Sequence, residues 1–211
     1  FRRVLFRSDT CGTSEAITRA LHDGALEPEA LRLAIQRRER WAGWASSIGA
    51  PDTSLDDVMW VRQLSDRAVF MARGAPPRIG QAAEVVVVDE DAHGPWAHPM
   101  RGAFETTLRT LEVDAPTVAE PTAHTKVPVL IALYCDVMAW KGFDGPSPMA
   151  LEAVSRAMAV AAAQQREAFV VLFGHPRHAV AIAGAARIIC AWDGSSTMQA
   201  AAARAIARGL L

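Results

Sequence analysis

The stretch EVVVVDED, residues 84–91, decides the fold. It is a short continuous apolar run of β-branched residues that ends in acids. That pattern reads as a strand buried on both faces rather than as an amphipathic one. Three similar runs follow: PVLIALYCD (128–136), AFVVLFG (168–174) and ARIICAWDG (186–194). Helical patterns separate them, at about residues 101–111, 148–165 and 195–208, with a short turn after Pro176. Strands that alternate with helices imply crossover connections and a parallel sheet. The expected fold from about Leu55 onward is therefore α/β: a doubly wound, mainly parallel sheet with helices on both faces. Its ligand-facing edge should be the loops at the strand C-terminal ends, here DEDAHGPW (89–96), CDVMAWKGFDG (135–145), FGHPRHA (173–179) and WDGSS (192–196).

Upstream the pattern is helical. Ser14 is the expected N-cap of a helix over 15–22, and Gly24 closes it. A second helix begins at Pro28, with Leu31, Ile35 and Trp41 at helical intervals and an Arg-rich polar face. The composition of SSIGAPDTS (46–54) is that of a linker. Ser54 then caps a third helix, expected over about 55–71.

The first eight residues, FRRVLFRS, do not continue this periodicity, and they are too short for a signal peptide. Back-translated, they reproduce the end of a common sequencing-adapter oligonucleotide. On that reading natural sequence begins near Asp9 and the chain is a fragment. Three segments are expected: 1–8 adapter-derived, 9–50 helical, and 51–211 the α/β domain.

Composition bounds the function. The chain has 211 residues, 51% apolar and 21% charged, with a formal net charge of -1. That is enough for one good core. It gives no electrostatic footprint for nucleic acid or an anionic membrane. No apolar run reaches the roughly 18 residues of a membrane span. Cys11, Cys135 and Cys190 fit no zinc spacing. Cys135 and Cys190 lie in apolar runs and read as small buried hydrophobes. Free cysteines favour the cytoplasm.

Several chemistries find no footing. No strand is followed by G-x-G-x-x-G, and there is no P-loop or G-x-S-x-G elbow. Asp89, Asp91 and Asp136 could form the acid cluster of a receiver-like phosphoacceptor, but no lysine ends a later strand to neutralise the phosphoryl group. His93/His98 and His175/His178 flank turns without converging ligands, so no metal and no cofactor are expected. Ser195 and Ser196 read as caps, and Asp193 as a turn former. Trp41, Trp44 and Trp60 are expected in a core. Trp96, Trp140 and Trp192 lie by strand ends, where an indole can stack on a sugar, cover the sheet edge or meet another domain.

PVLIALYCDVMAWKGFDGPSPMALEAV (128–154) resembles the strand–loop–helix of the C-terminal α/β domain of family 3 glycoside hydrolases, in the β-N-acetylhexosaminidase branch. AFVVLFGHPRHAVAIAGAARIICAWDGSSTMQAAAARAIARG (168–209) is similar to the part that follows it, including a closing helix with a Gln-Ala-Ala-Ala-like core. EAITRALHDGALEPEALRLAIQRRERW (15–41) resembles the last helices of that family's N-terminal barrel. The resemblance implies a fragment of an enzyme acting on β-linked sugars, with β-N-acetylglucosaminides favoured. The implied partners are the absent barrel domain and carbohydrate. It also implies that this part lacks catalytic residues: the family's nucleophile is a barrel aspartate, and this branch's acid/base pair lies on a barrel loop. Of the glutamates in the α/β part, Glu90 alone sits in a strand-end loop. Candidate substrate-binding residues, chosen by loop position and side-chain type, are Asp136, Trp140, Lys141, His175, Arg177 and Asp193.

Overall fold

Residues 10–47, 54–90, 101–123, 125–136, 145–185 and 187–209 are described by a computed structural model. The chain divides into two units, Phe1–Leu55 and Asp56–Leu211. Phe1 to Ser8, and with them the adapter reading, lie outside the described residues, as does most of the expected linker.

The first unit contains helices α1 (Thr10–His22) and α2 (Pro28–Ser47). Ser14 is not the cap: α1 starts four residues earlier, because one glycine in a first turn lowers helix propensity without stopping the helix. Gly24 follows α1 at φ +69°, a left-handed conformation that suits glycine. Pro28 opens α2, where its missing N–H costs nothing. Ile35, Trp41 and Trp44 are exposed, whereas Leu26 and Leu31 are half-buried.

The second unit runs α3 (Leu55–Ala68), β1 (Phe70–Arg73), β2 (Glu84–Asp89), α4 (Ala103–Thr110), β3 (Thr117–Val118), β4 (Val129–Tyr134), α5 (Pro148–Ala163), β5 (Ala168–Phe173), a 3-10 helix (Pro176–Ala181), β6 (Ile188–Cys190) and α6 (Ser196–Arg208). The described strands form one sheet in the order β1-β6-β5-β4-β2-β3. All neighbours pair in parallel except β1, which runs antiparallel to β6. The α/β expectation holds, with two corrections. The third helix stops at Ala68 and gives way to β1, and β3 adds a second edge. Both strands are short and partly exposed, so neither shows a continuous apolar run.

The continuous apolar character of the central strands follows from burial on both faces. On β4, Leu130, Ala132 and Tyr134 pack toward one core with Phe104 and Leu108 of α4 and with Ala202 and Ile206 of α6. Val129, Ile131 and Leu133 alternate into the opposite core, with Val154 and Ala157 of α5. Ser147 caps α5 and Ser195 caps α6, each accepting a backbone N–H from three residues on.

At the N-terminal edge of the sheet, Arg166 and Glu84 form a buried ion pair at 2.7 Å. Arg166 also donates to the carbonyls of Val127 and Thr122, and Thr122 and Thr125 donate their hydroxyls to Glu84. Burial alone would raise the Glu84 pKa. The hydrogen bonds from Thr122, Arg166 and Thr125 together outweigh it and hold the carboxyl below its ordinary range.

Trp41, Trp44 and Trp60 are not core residues: each is more than half exposed. On α3, Leu55, Val58, Met59, Val61 and Leu64 are exposed with Trp60. Helical spacing shows that a face is apolar; it does not show that the face is covered.

Candidate functional site

The parallel strands end on one edge, so the described residues that directly follow β2, β4, β5 and β6 lie along it. The strand order places a topological switch between β2 and β4. β2 continues through α4 to β3 on one side, and β4 continues through α5 to β5 on the other. In open α/β sheets that crevice is the usual ligand position.

Here a side-chain latch spans the edge. Arg101, just before α4, donates to both carboxylate oxygens of Asp89 at 3.0 and 3.2 Å, and to the carbonyl of Gly194 at 3.1 Å. Its guanidinium lies 4.1 Å from the centre of the Tyr134 ring. The N–H of Gly194 donates to Asp136 at 3.1 Å, and its carbonyl also accepts from Gln199 Nε2 at 2.7 Å. Gln199 is fully buried on α6. Its Oε1 accepts the Ala103 N–H and the Tyr134 hydroxyl. Burial, with the nearby Glu105 charge, pushes the Tyr134 pKa up against the opposing Arg101, so this hydroxyl stays a donor. Gly194 is a glycine because of close approach: a Cβ there would overlap the Arg101 guanidinium and lie 2.9 Å from Asp136.

The candidate residues take up distinct places. Asp136 is committed to the Gly194 backbone. His175 is exposed and caps the 3-10 helix, its Nδ1 accepting the Arg177 N–H at 3.2 Å. Arg177 is exposed, with Nε 3.5 Å from His178 Nε2. Asp193 is exposed and accepts the Ser195 N–H at 2.8 Å, as a turn former does. Trp140 and Lys141 lie outside the described residues, as do Asp91, His93, Trp96 and His98. Glu90 accepts the Ser147 N–H at 2.7 Å. His178 is buried beside Cys135, Nδ1 to Sγ 3.8 Å. Among the described residues no three His, Cys, Asp or Glu side chains could hold a metal. Cys135 and Cys190 are both buried, and burial raises the Cys190 thiol pKa.

Four residues of this edge escape the sequence reading: Arg101, Gln199, Tyr134 and Phe70. Phe70 reaches the edge because β1 is antiparallel, which pairs it with Cys190 and brings the end of α3 to Trp192. The Trp192 indole N–H donates to the Ala68 carbonyl at 3.0 Å. Its ring lies 5.6 Å from that of His175, edge to face, and 6.3 Å from that of Phe70. The Trp192 backbone is left-handed at φ +58°, and the Asp193 N–H bonds the Ala191 carbonyl at 2.6 Å across it. A three-residue turn of this hand around a bulky side chain is strained.

No family model and no curated protein matches the sequence. Solved structures do match the fold. The chain is similar to a glycoside hydrolase family 3 β-N-acetylglucosaminidase from Paenibacillus sp. str. FPU-7, with TM-score 0.60 and 15% identity, over 93% of this chain and 40% of that one. It is similar to the β-glucoside phosphorylase BglX, with TM-score 0.56 and 13% identity, over 96% of this chain and 40% of that one. It is also similar to a GH3 β-glucosidase from Bifidobacterium adolescentis, with TM-score 0.50 and 20% identity, over 93% of this chain and 34% of that one. The chain thus spans 34 to 40% of the length of these three proteins. At these identities the likeness is one of fold.

Proposed function

We propose that this chain is the C-terminal α/β domain of a family 3 glycoside hydrolase acting on β-linked sugars, preceded by the last helices of its barrel. β-N-acetylglucosaminides are the favoured substrates. The observation that carries this reading is the fold likeness over more than nine-tenths of this chain to about two-fifths of two enzymes named for their action on β-linked sugars. The sequence resemblance of residues 128–154 and 168–209 to the hexosaminidase branch supports the same reading independently. In this role the domain is accessory. It packs on the barrel and walls the sugar cleft with its strand-end loops, and Asp136, Trp140, Lys141, His175, Arg177 and Asp193 are the wall candidates. Both catalytic roles belong to the barrel. A retaining glycosidase needs its two groups on either side of one bond, so this domain alone is inactive.

The gene upstream of Asp9 tests the proposal. It should encode a barrel with an aspartate at a strand end and a His–Asp pair on a loop. An upstream sequence with no barrel pattern overturns it. The receiver-like alternative predicts magnesium-dependent labelling by an acyl phosphate. The commitment of Asp89 to Arg101 and of Asp136 to Gly194 disfavours that chemistry.

A further inference from the structure

We propose that Trp192 is a preformed stacking platform for the apolar face of a pyranose ring, with Asp193 and His175 placed beside it for the ring's hydroxyls. The sugar class rests on the glycosidase reading above; the platform rests on geometry. Trp192 follows β6, on the ligand-facing edge of the sheet, and the residue is still 46% exposed. An exposed indole usually keeps its rotamer freedom, and binding then has to remove it. This one is already fixed. Its N–H is tied to Ala68, and the rings of His175 and Phe70 brace it. Its backbone is held in a strained left-handed turn. Such strain persists only where the surroundings over-determine it, and it is characteristic of ligand clamps.

The polar fringe points to a sugar rather than to a purely apolar partner. A pyranose offers one C–H face and a rim of hydroxyls that both donate and accept. Asp193, adjacent in the chain, is exposed and holds one backbone N–H through a single carboxylate oxygen. His175 accepts at Nδ1, so its neutral ring carries the proton on Nε2 as a donor. Asp193 follows Trp192 directly in the chain, and the His175 ring lies 5.6 Å from the indole, so plate, acceptor and donor come from one short stretch of the edge. Trp41 and Trp60 are more exposed than Trp192, but they lie on the surfaces of α2 and α3 rather than at the end of a strand.

The test follows the indole N–H resonances of the full 211-residue chain during titration with methyl β-N-acetylglucosaminide and methyl β-glucoside. Trp192→Phe identifies the Trp192 signal and keeps a ring. Trp192→Ala removes the plate. A saturable shift of the Trp192 signal in the millimolar range is expected, with those of Trp41 and Trp60 unmoved. Trp192→Ala should weaken binding by roughly two- to tenfold, the range that aromatic contacts carry, and Trp192→Phe by less. Asp193→Asn should weaken it with the fold unchanged. An unmoved Trp192 signal at about ten times millimolar sugar overturns the platform. So do equal shifts at Trp41 and Trp60, or unchanged affinity in a folded Trp192→Phe and Trp192→Ala pair. If the platform fails while the longer gene product hydrolyses aryl β-glycosides, the glycosidase reading stands. Binding at Trp192 in a chain whose gene encodes no barrel separates the two the other way.

Discussion

Arg166→Met should be the most damaging single change to the sheet. The guanidinium has no exposed side-chain surface, and it donates to Glu84, Val127, Thr122 and Gln164. Methionine fills much of the volume and supplies none of the donors. Glu84, whose side chain is only 3% exposed, would be left as a buried carboxylate supported by two threonines. Removing one partner of a buried pair costs about 3–5 kcal/mol. For a chain of this size that is a fall in Tm of roughly 6–20 °C. Adding Glu84→Gln to the variant should recover at least about 1 kcal/mol, because a neutral amide is cheaper to bury than a lone carboxylate. Urea unfolding followed by circular dichroism measures both. The pH dependence gives a second readout. The folded Glu84 pKa lies below its unfolded value, so its contribution is complete above about pH 4.3 and is lost as pH falls through the folded pKa. The wild type should therefore lose stability below about pH 4 more steeply than Glu84→Gln does. An Arg166→Met variant within about 1 kcal/mol of wild type would mean that the pair behaves as a solvent-exposed one and not as a buried one.

Gly194→Ala should destabilise the domain by about 1–3 kcal/mol and loosen the Arg101 latch, because its Cβ meets the guanidinium and Asp136; a thermal melt checks it. Cys135 and Cys190 should react with a thiol reagent only on unfolding, as both are buried and burial raises the Cys190 pKa; a fast signal from either in native buffer contradicts this. Replacing Ile35 and Trp41 by polar residues should raise solubility and leave the melt of the α/β unit within about 0.5 kcal/mol, since both side chains are exposed on α2.

The central strands were legible because burial on both faces writes itself into the sequence as unbroken runs such as VVVV and VLIALY. The edge strands were not. Phe70–Arg73 alternates exposed and half-buried residues over one turn's length of chain, and Thr117–Val118 is too short to carry any period. The strand-end loops could be located from sequence, and Asp136, His175, Arg177 and Asp193 do lie on that edge. What could not be read was which side chains hold the edge together. Arg101 meets Asp89 and Gly194 only once α4 and α6 pack side by side, a relation between distant segments that no local pattern encodes. Gln199 was visible as part of a helix core motif, but its role as a buried hub depends on the carbonyl of Gly194 five residues earlier turning inward. Tryptophan spacing misled for the opposite reason: it marks an apolar face whether or not anything packs on it.

Release of 4-nitrophenol from its N-acetyl-β-glucosaminide tests the proposed glycosidase reading most directly, measured on the product of the whole gene and on this chain alone. If the proposal holds, the whole-gene product turns the substrate over, replacing a strand-end aspartate of its proposed barrel abolishes that turnover, and the 211-residue chain gives none above the buffer control. Turnover by this chain that vanishes on a single carboxylate substitution, or a longer protein inert toward aryl β-glycosides, would contradict it.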